Sequence, residues 1–252
     1  MIGTPLPEPL QDFRLLKLES CVSTNTLCMD YGQAGEAGNL WIVSRQQTSG
    51  KGSRGRSWVS EPGNLFASLL LENPCEPDHL ADLTFVTSVA LRRALVRFAP
   101  DDAVITQKWP NDILVNGKKC SGILLESTAS QERQMMVIGI GVNCVSCPGD
   151  TLHSATSLVA ENIDVPPDEL FDALSLEMAH SISSWKRGEG FAVIREEWLA
   201  AAGGLGKPVT VRIPGKPDIR GIFASIDEAG YMLLETSANK TERISTADVF
   251  FG

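Results

Sequence analysis

The residues best equipped for chemistry in this chain are cations set among glycines. Positions 41–58 read WIVSRQQTSGKGSRGRSW, so Arg45, Lys51, Arg54 and Arg56 alternate with Gly50, Gly52 and Gly55. No acidic residue occurs between positions 41 and 60, although the whole chain carries a formal net charge of −9. Glycine admits positive φ and lets backbone come close to a ligand. Successive free N–H groups in such a loop form an anion-binding nest, and arginine adds a planar fork matched to carboxylate and phosphate oxygens. The stretch therefore predicts a basic loop that closes over a phosphorylated or carboxylated small molecule.

It is not a P-loop. Gly50 to Ser57 reads G-x-x-x-x-G-R-S, one residue away from that motif. A P-loop needs a helix directly behind it to hold the phosphates, whereas Trp58-Val59 and then Glu61-Pro62-Gly63-Asn64 signal a strand and a turn.

The elements that must position these groups follow from hydrophobic spacing. Strands are predicted at 13–18, 41–43 and 64–71, the last two flanking the basic loop. Ser23-Thr24-Asn25 offers N-cap residues for a helix through Tyr31. Residues 80–98 carry apolar side chains at helical spacing. A short strand at 104–106 leads into Lys108-Trp109-Pro110-Asn111-Asp112. Then 113–115, Asn116-Gly117 and 120–125 make a hairpin with a type I′ turn. The run 135–142, with Gly139 and Gly141, predicts a buried strand approached closely by a ligand. Helices are predicted at 169–185 and 191–202. After Gly203-Gly204-Leu205-Gly206, short β-like runs at 209–213, 221–226, 231–234 and 243–245 suggest a small barrel. The boundary is placed there, giving units 1–203 and 204–252.

At 252 residues, 43% apolar and 21% charged, the chain can bury a sizeable core. No apolar run reaches the roughly 18 residues of a spanning helix. The opening MIGTPLPEPLQDF has neither a basic nor an apolar signal region, which predicts a cytoplasmic protein. The acidic balance argues against a general nucleic-acid or membrane surface. Six cysteines (21, 28, 75, 120, 144 and 147) without a secretion signal read as reduced thiols. Cys144-Val-Ser-Cys147 is a lone C-x-x-C, and the histidines at 79, 153 and 180 are scattered, so no fixed metal site is expected.

Taken singly, each motif has a plainer reading: Trp58 and Trp109 as core, Asn111-Asp112 as a turn, Lys118 and Lys119 as solvated hairpin residues. Taken together they do not. Ser23-Thr24-Asn25, Gln47-Thr48-Ser49-Gly50 with its cations, Lys108-Trp-Pro-Asn-Asp112, Lys119-Cys-Ser-Gly122-Ile-Leu and Ile138-Gly-Ile-Gly141-Val-Asn143 occur in that order. In this the chain resembles the biotin–protein ligases, from about position 13 to its end. K-W-P-N-D followed by K-x-x-G-I-L is the specific part of the match. By resemblance the fold is α/β, a mixed sheet flanked by helices with a small C-terminal SH3-like barrel.

The resemblance implies a ligase that joins biotin and ATP, with Mg²⁺ carried by the nucleotide, into biotinyl-adenylate. It would then pass biotin to a lysine of a carboxylase's biotin carboxyl carrier protein. Ser23, Thr24, Asn25 and Gln47 would hold the ureido head of biotin. Gly50, Gly122 and Gly139 would admit backbone to the ligand, with Lys51 and Trp58 also in the biotin set. Lys119 would bridge the biotin carboxylate and the α-phosphate. Arg54, Arg56 and Lys108 would serve the phosphates, Asn111 and Asp112 the nucleotide, Mg²⁺ or Lys119, and Asn143 the adenine. Lys119, Arg56 and Asp112 are the expected catalytic residues. A lipoate–protein ligase shares the chemistry, but lipoate has no ureido group for the polar set. A non-catalytic biotin or adenylate sensor would not need Lys119, Arg54 and Arg56. No DNA or membrane partner is expected, since about a dozen residues precede the first strand and leave no room for a winged helix-turn-helix. Sequence leaves monomer and homodimer open. The family loop G-R-G-R-R-G-R appears here with Lys51 and Ser53 in place of two arginines, which bears on how firmly the intermediate is retained.

Overall fold

The computed structural model describes residues 10, 12–129, 133–149, 154–236 and 240–251, so most of the N-terminal stretch and His153 lie outside the described residues. A seven-stranded sheet forms the body. Its strands are β1 (Arg14–Leu18), β2 (Leu40–Ser44), β3 (Leu65–Glu72), β4 (Ile105–Lys108), β5 (Asp112–Val115), β6 (Lys118–Ala129) and β7 (Gln134–Val142). They lie in the order β1-β2-β3-β7-β6-β5-β4, with β1 parallel to β2 and every other pair antiparallel.

Alternation along the strands assigns the two faces. Leu40, Ile42, Leu70, Met135 and Val137 pack with Cys28 of helix α1 (Thr24–Gln33). Trp41, Leu69, Leu71, Met136 and Ile138 face the larger core formed with α2 (Asp82–Val96), α3 (Pro167–Trp185) and α4 (Phe191–Ala200). Because helices cover both faces, β3 is buried over its first seven residues and reads as one apolar run. Ser23 caps α1 as expected, its hydroxyl accepting from the Thr26 N–H.

The hairpin forms as predicted. Asn116 (φ 50°) and Gly117 (φ 80°) both occupy the left-handed region that a type I′ turn requires. One feature within it had no sequence signal. The β5–β6 register shifts between Ile113, which pairs with Ser121, and Leu114, which pairs with Lys119, leaving Cys120 as a bulge. Without that bulge, Lys119 and Gly122 would fall on opposite faces of β6.

The C-terminal segment forms a second sheet of β8 (Pro208–Arg212), β9 (Ile219–Ile226), β10 (Met232–Thr236), β11 (Thr241–Ile244) and β12 (Asp248–Phe251). Its order is β11-β10-β9-β8-β12 and all pairs are antiparallel, with no ladder closing β11 onto β12 among the described residues. Strand β12 was not foreseen. Aromatic edges join this sheet to the body: Trp198 lies 5.4 Å from Phe85 and 6.4 Å from Phe223. Trp109 is part of the same seam, donating its indole N–H to the Gly230 carbonyl at 3.0 Å. Among the described residues no helix is long and apolar enough to cross a membrane.

Candidate functional site

The polar head of the site is built where α1 begins. Gln47 Oε1 accepts from the Thr24 N–H (2.8 Å) and faces the Thr24 hydroxyl (3.1 Å), while Gln47 Nε2 donates to Ser60 Oγ (2.9 Å). Ser68, fully buried on β3, lies 2.8 Å from Thr24 Oγ1 and 2.6 Å from Asn25 Oδ1. Asn25 Nδ2 donates to Glu126 Oε2 at 2.9 Å. Buried amides and hydroxyls with their own partners supplied are rigid, so the valences left over are fixed in direction. Ser23, Thr24, Asn25 and Gln47 all line one cavity of about 320 Å³.

The glycines make room for protein side chains rather than for open space. A Cβ at Gly139 would sit 2.1 Å from Asn25 Oδ1, and one at Gly141 would sit 2.6 Å from the Trp58 ring. Trp58 forms a wall of the cavity across Gly122 and Gly141, and the Lys119 ammonium lies 5.7 Å from its ring centroid. Gly50 does not line the cavity; a Cβ there would lie 2.4 Å from Ser60 Oγ and from the Trp58 carbonyl, so its bareness lets the loop cross itself.

Lys119 stands at the far end. Its ammonium is 2.6 Å from Asp112 Oδ1, and its backbone is fixed by hydrogen bonds with Ser154 and Thr156 (2.8 Å each). Arg56, Asn111 and Lys119 also line a second cavity of about 260 Å³, together with Arg54, Lys108 and Asp112. Asn111 is clamped to β6, its Nδ2 donating to the Ile123 carbonyl at 2.6 Å. Burial holds the Lys108 ammonium down to about pKa 8, with Asp112 working in the opposite direction. Asn143 borders the first cavity but not the second, and donates to the Thr156 carbonyl at 3.1 Å.

The loop cations are not left to repel one another. Arg54 reaches Asp248 Oδ2 at 2.6 Å and Thr246 Oγ1 at 3.1 Å, and Arg56 reaches Asp248 Oδ1 at 3.3 Å. Lys51 lies 3.4 Å from Glu126 Oε1. The carboxylates come from β12 and β6, remote in sequence, which is why a reading confined to positions 41–60 saw only positive charge. Ser53 accepts two hydrogen bonds from Arg56, one through its carbonyl (3.1 Å) and one through its hydroxyl (2.9 Å). The loop is followed by an extended segment and a turn at 62–63, not by a helix, in agreement with the rejection of a P-loop.

Glu126, Ser68 and Asp248 escaped the sequence reading because none lies in a recognisable motif. Ile140, Leu124 and Val59 also line the first cavity unannounced. Cys144 is buried, its thiol pushed up to about pKa 12, and Cys147 is exposed; both are free. Among the described residues no three His, Cys, Asp or Glu side chains cluster as metal ligands.

Residues 18–143 match the biotin/lipoate A/B protein ligase family, and residues 204–252 match the biotin protein ligase C-terminal domain. A biotin–[acetyl-CoA-carboxylase] ligase of Paracoccus denitrificans is 38% identical over 228 residues, covering 86% of this chain and 92% of that protein. A bifunctional ligase/repressor of Bacillus subtilis is 30% identical, covering 84% of this chain and 66% of that protein. The fold matches the Aquifex aeolicus biotin protein ligase solved with biotin and ATP (TM-score 0.80, 24% identity, 94% of this chain and 99% of that one). It also matches the Leishmania major enzyme solved with biotinyl-5-AMP (TM-score 0.64, 25% identity, 92% and 98%).

Proposed function

This chain belongs to the biotin/lipoate A/B protein ligase family and is a biotin ligase, and from that premise we propose how its residues divide the work. The polar set of Ser23, Thr24, Asn25 and Gln47 receives the ureido head, whose N–H and C=O groups need fixed partners. The Trp58 wall covers the ring and valeryl chain. The biotin carboxylate then ends beside Lys119, and the triphosphate lies in the second cavity among Arg54, Arg56 and Lys108. The observation that carries this reading is that the two cavities meet at Lys119, Arg56 and Asn111.

In the first step a biotin carboxylate oxygen bonds to the α-phosphorus and the bond to the bridging oxygen breaks, releasing pyrophosphate. Two anions must be brought together, so positive charge fixed in advance is what the protein has to supply. Lys119 supplies it at the junction, with Asp112 setting the direction of its ammonium. Mg²⁺ is read as arriving with the ATP phosphates, with Asp112 a carboxylate that lines the same cavity. In the second step a lysine amine of a biotin carboxyl carrier protein bonds to the acyl carbon, and AMP leaves with the C–O bond electrons. Residues 1–203 are the catalytic unit and 204–252 the unit that brings Asp248 to the loop, in a protein acting in the cytoplasm as monomer or homodimer.

Incubation with labelled biotin, ATP, Mg²⁺ and a carrier domain tests the reading. Label is expected on one carrier lysine, dependent on ATP. Pyrophosphate release without transfer to the carrier would leave the first step and remove the proposed acceptor.

A further inference from the structure

Glu126 touches two parts of the site that sequence keeps apart. One carboxylate oxygen accepts from Asn25 Nδ2 at 2.9 Å, and the other lies 3.4 Å from the Lys51 ammonium. The Lys51 contact is half exposed and of the kind that contributes little. The Asn25 contact differs, because Asn25 is only 4% exposed and its carboxamide is closed in on three sides. Ser68 lies 2.6 Å from Oδ1, Gly139 leaves no room for even a methyl group, and Glu126 faces Nδ2.

A carboxylate can only accept, so Glu126 dictates which end of the amide faces it. Oδ1 is thereby turned to Ser68, which has a single proton and gives it over the shorter contact. The Thr24 hydroxyl proton is then directed to Gln47 Oε1 or Ser68 Oγ, both inside the protein. What Thr24 presents to the cavity is a lone pair. A change at Glu126 would free the amide to turn over and scramble every partner behind it.

We propose that Glu126 is a positioning residue for biotin recognition: it fixes the Asn25 carboxamide and, through Ser68, the polarity of the Thr24 hydroxyl. The inference rests on the reading that Thr24, Asn25 and Gln47 receive the ureido head. Glu126 itself acts through Asn25 and is not a catalytic residue.

The test is biotin binding by calorimetry, together with steady-state adenylate formation, for Thr24→Val, Glu126→Ala and Glu126→Gln. Glu126→Ala should weaken biotin about tenfold, as expected for leaving one buried amide donor unpaired, with kcat and the ATP KM within about twofold. Glu126→Gln keeps an acceptor for Asn25 and should recover to within about threefold of the natural protein. An unchanged Kd in Thr24→Val removes the head-pocket reading and this inference with it. A weakened Thr24→Val beside an unaffected Glu126→Ala removes the inference alone. So does Glu126→Gln failing as badly as Glu126→Ala, since the ion pair with Lys51 would then be the operative contact.

Discussion

The Lys119 ammonium sits 2.6 Å from Asp112 Oδ1 across a bulged hairpin, and both residues line the second cavity. The pair holds a cation at the junction, and among the described residues Asp112 is its ion-pair partner. Lys119→Ala should lower adenylate formation about 100-fold or more, the scale for removing one preorganised charge donor. Biotin affinity should largely survive, because the partner of Lys119 is charge that develops in the transition state. Pyrophosphate release measured beside calorimetric biotin binding separates the two effects; release at a near-natural rate would rule out the assigned role.

Gly139 and Asn25 interlock, with no space for a Cβ at 139. Gly139→Ala must push the Asn25 carboxamide off both Ser68 and Glu126. The expected result is a loss of biotin affinity of about tenfold or more with the fold intact, since the cost falls on a small buried network. Gly117→Ala, in open space, serves as a control for glycine replacement at a left-handed position and should leave biotin affinity unchanged. Equal biotin affinity in Gly139→Ala and the natural protein would show that the amide does not matter to the ligand.

Glu161 ties the hairpin to the segment beside it. It accepts from Thr156 (2.6 Å), Asn116 (2.8 Å) and Lys118 (3.0 Å), and these bonds hold its carboxyl down at about pKa 2 against an ordinary 4.5. The folded pKa is depressed, so the stabilisation is present above about pH 4.5 and is lost as pH falls toward 2. Urea midpoints should therefore show Glu161→Gln less stable than the natural protein at pH 7, with the gap narrowing as pH falls below about 4.5 toward 2. A gap that stays constant with pH would mean the charge of Glu161 is not what stabilises.

Ser53 occupies a position where the family pattern has arginine, and its place between the two cavities gives that departure a location. A biotinyl-adenylate is a mixed anhydride, reactive toward water and stray amines, so the loop must exclude both. Ser53→Arg adds a charged donor worth about 1.5–3 kcal/mol per hydrogen bond, but it also removes the hydroxyl that accepts from Arg56. The expected net effect is slower release of preformed adenylate and less labelling of a bystander protein. Release as fast as from the natural protein would place retention with Arg54 and Arg56.

The elements of the body were legible because their signals are local. The apolar run in 64–71, the caps at 23–25 and the Asn116-Gly117 turn each decide the backbone within a few residues. The site was legible only as a set of residue types. Nothing in K-x-x-G tells a strand to bulge at Cys120, yet that bulge is what brings Lys119 and Gly122 to one face. The partners of the cations were hidden for a different reason: Glu126 and Asp248 lie 75 and 194 positions from Lys51 and Arg54, and only the folded sheets bring them near. Strand β12 was missed because DVFF is four residues long, too short to show a period.

Asp248 gives the basic loop a built-in counter-ion, and this changes what nucleotide binding would consist of. Arg54 and Arg56 do not wait as bare charges dressed in salt; they are already matched by a carboxylate from the second sheet. A triphosphate arriving there performs an exchange, taking two guanidinium groups from an anion that remains tethered nearby. Little salt is released from these arginines in such an exchange, so ATP affinity should respond weakly to ionic strength for so cationic a loop. Asp248→Asn should tighten ATP binding and make it more sensitive to salt, as titrations at two salt concentrations would reveal. If ATP instead binds more weakly to the variant, Asp248 holds the arginines in readiness rather than competing for them.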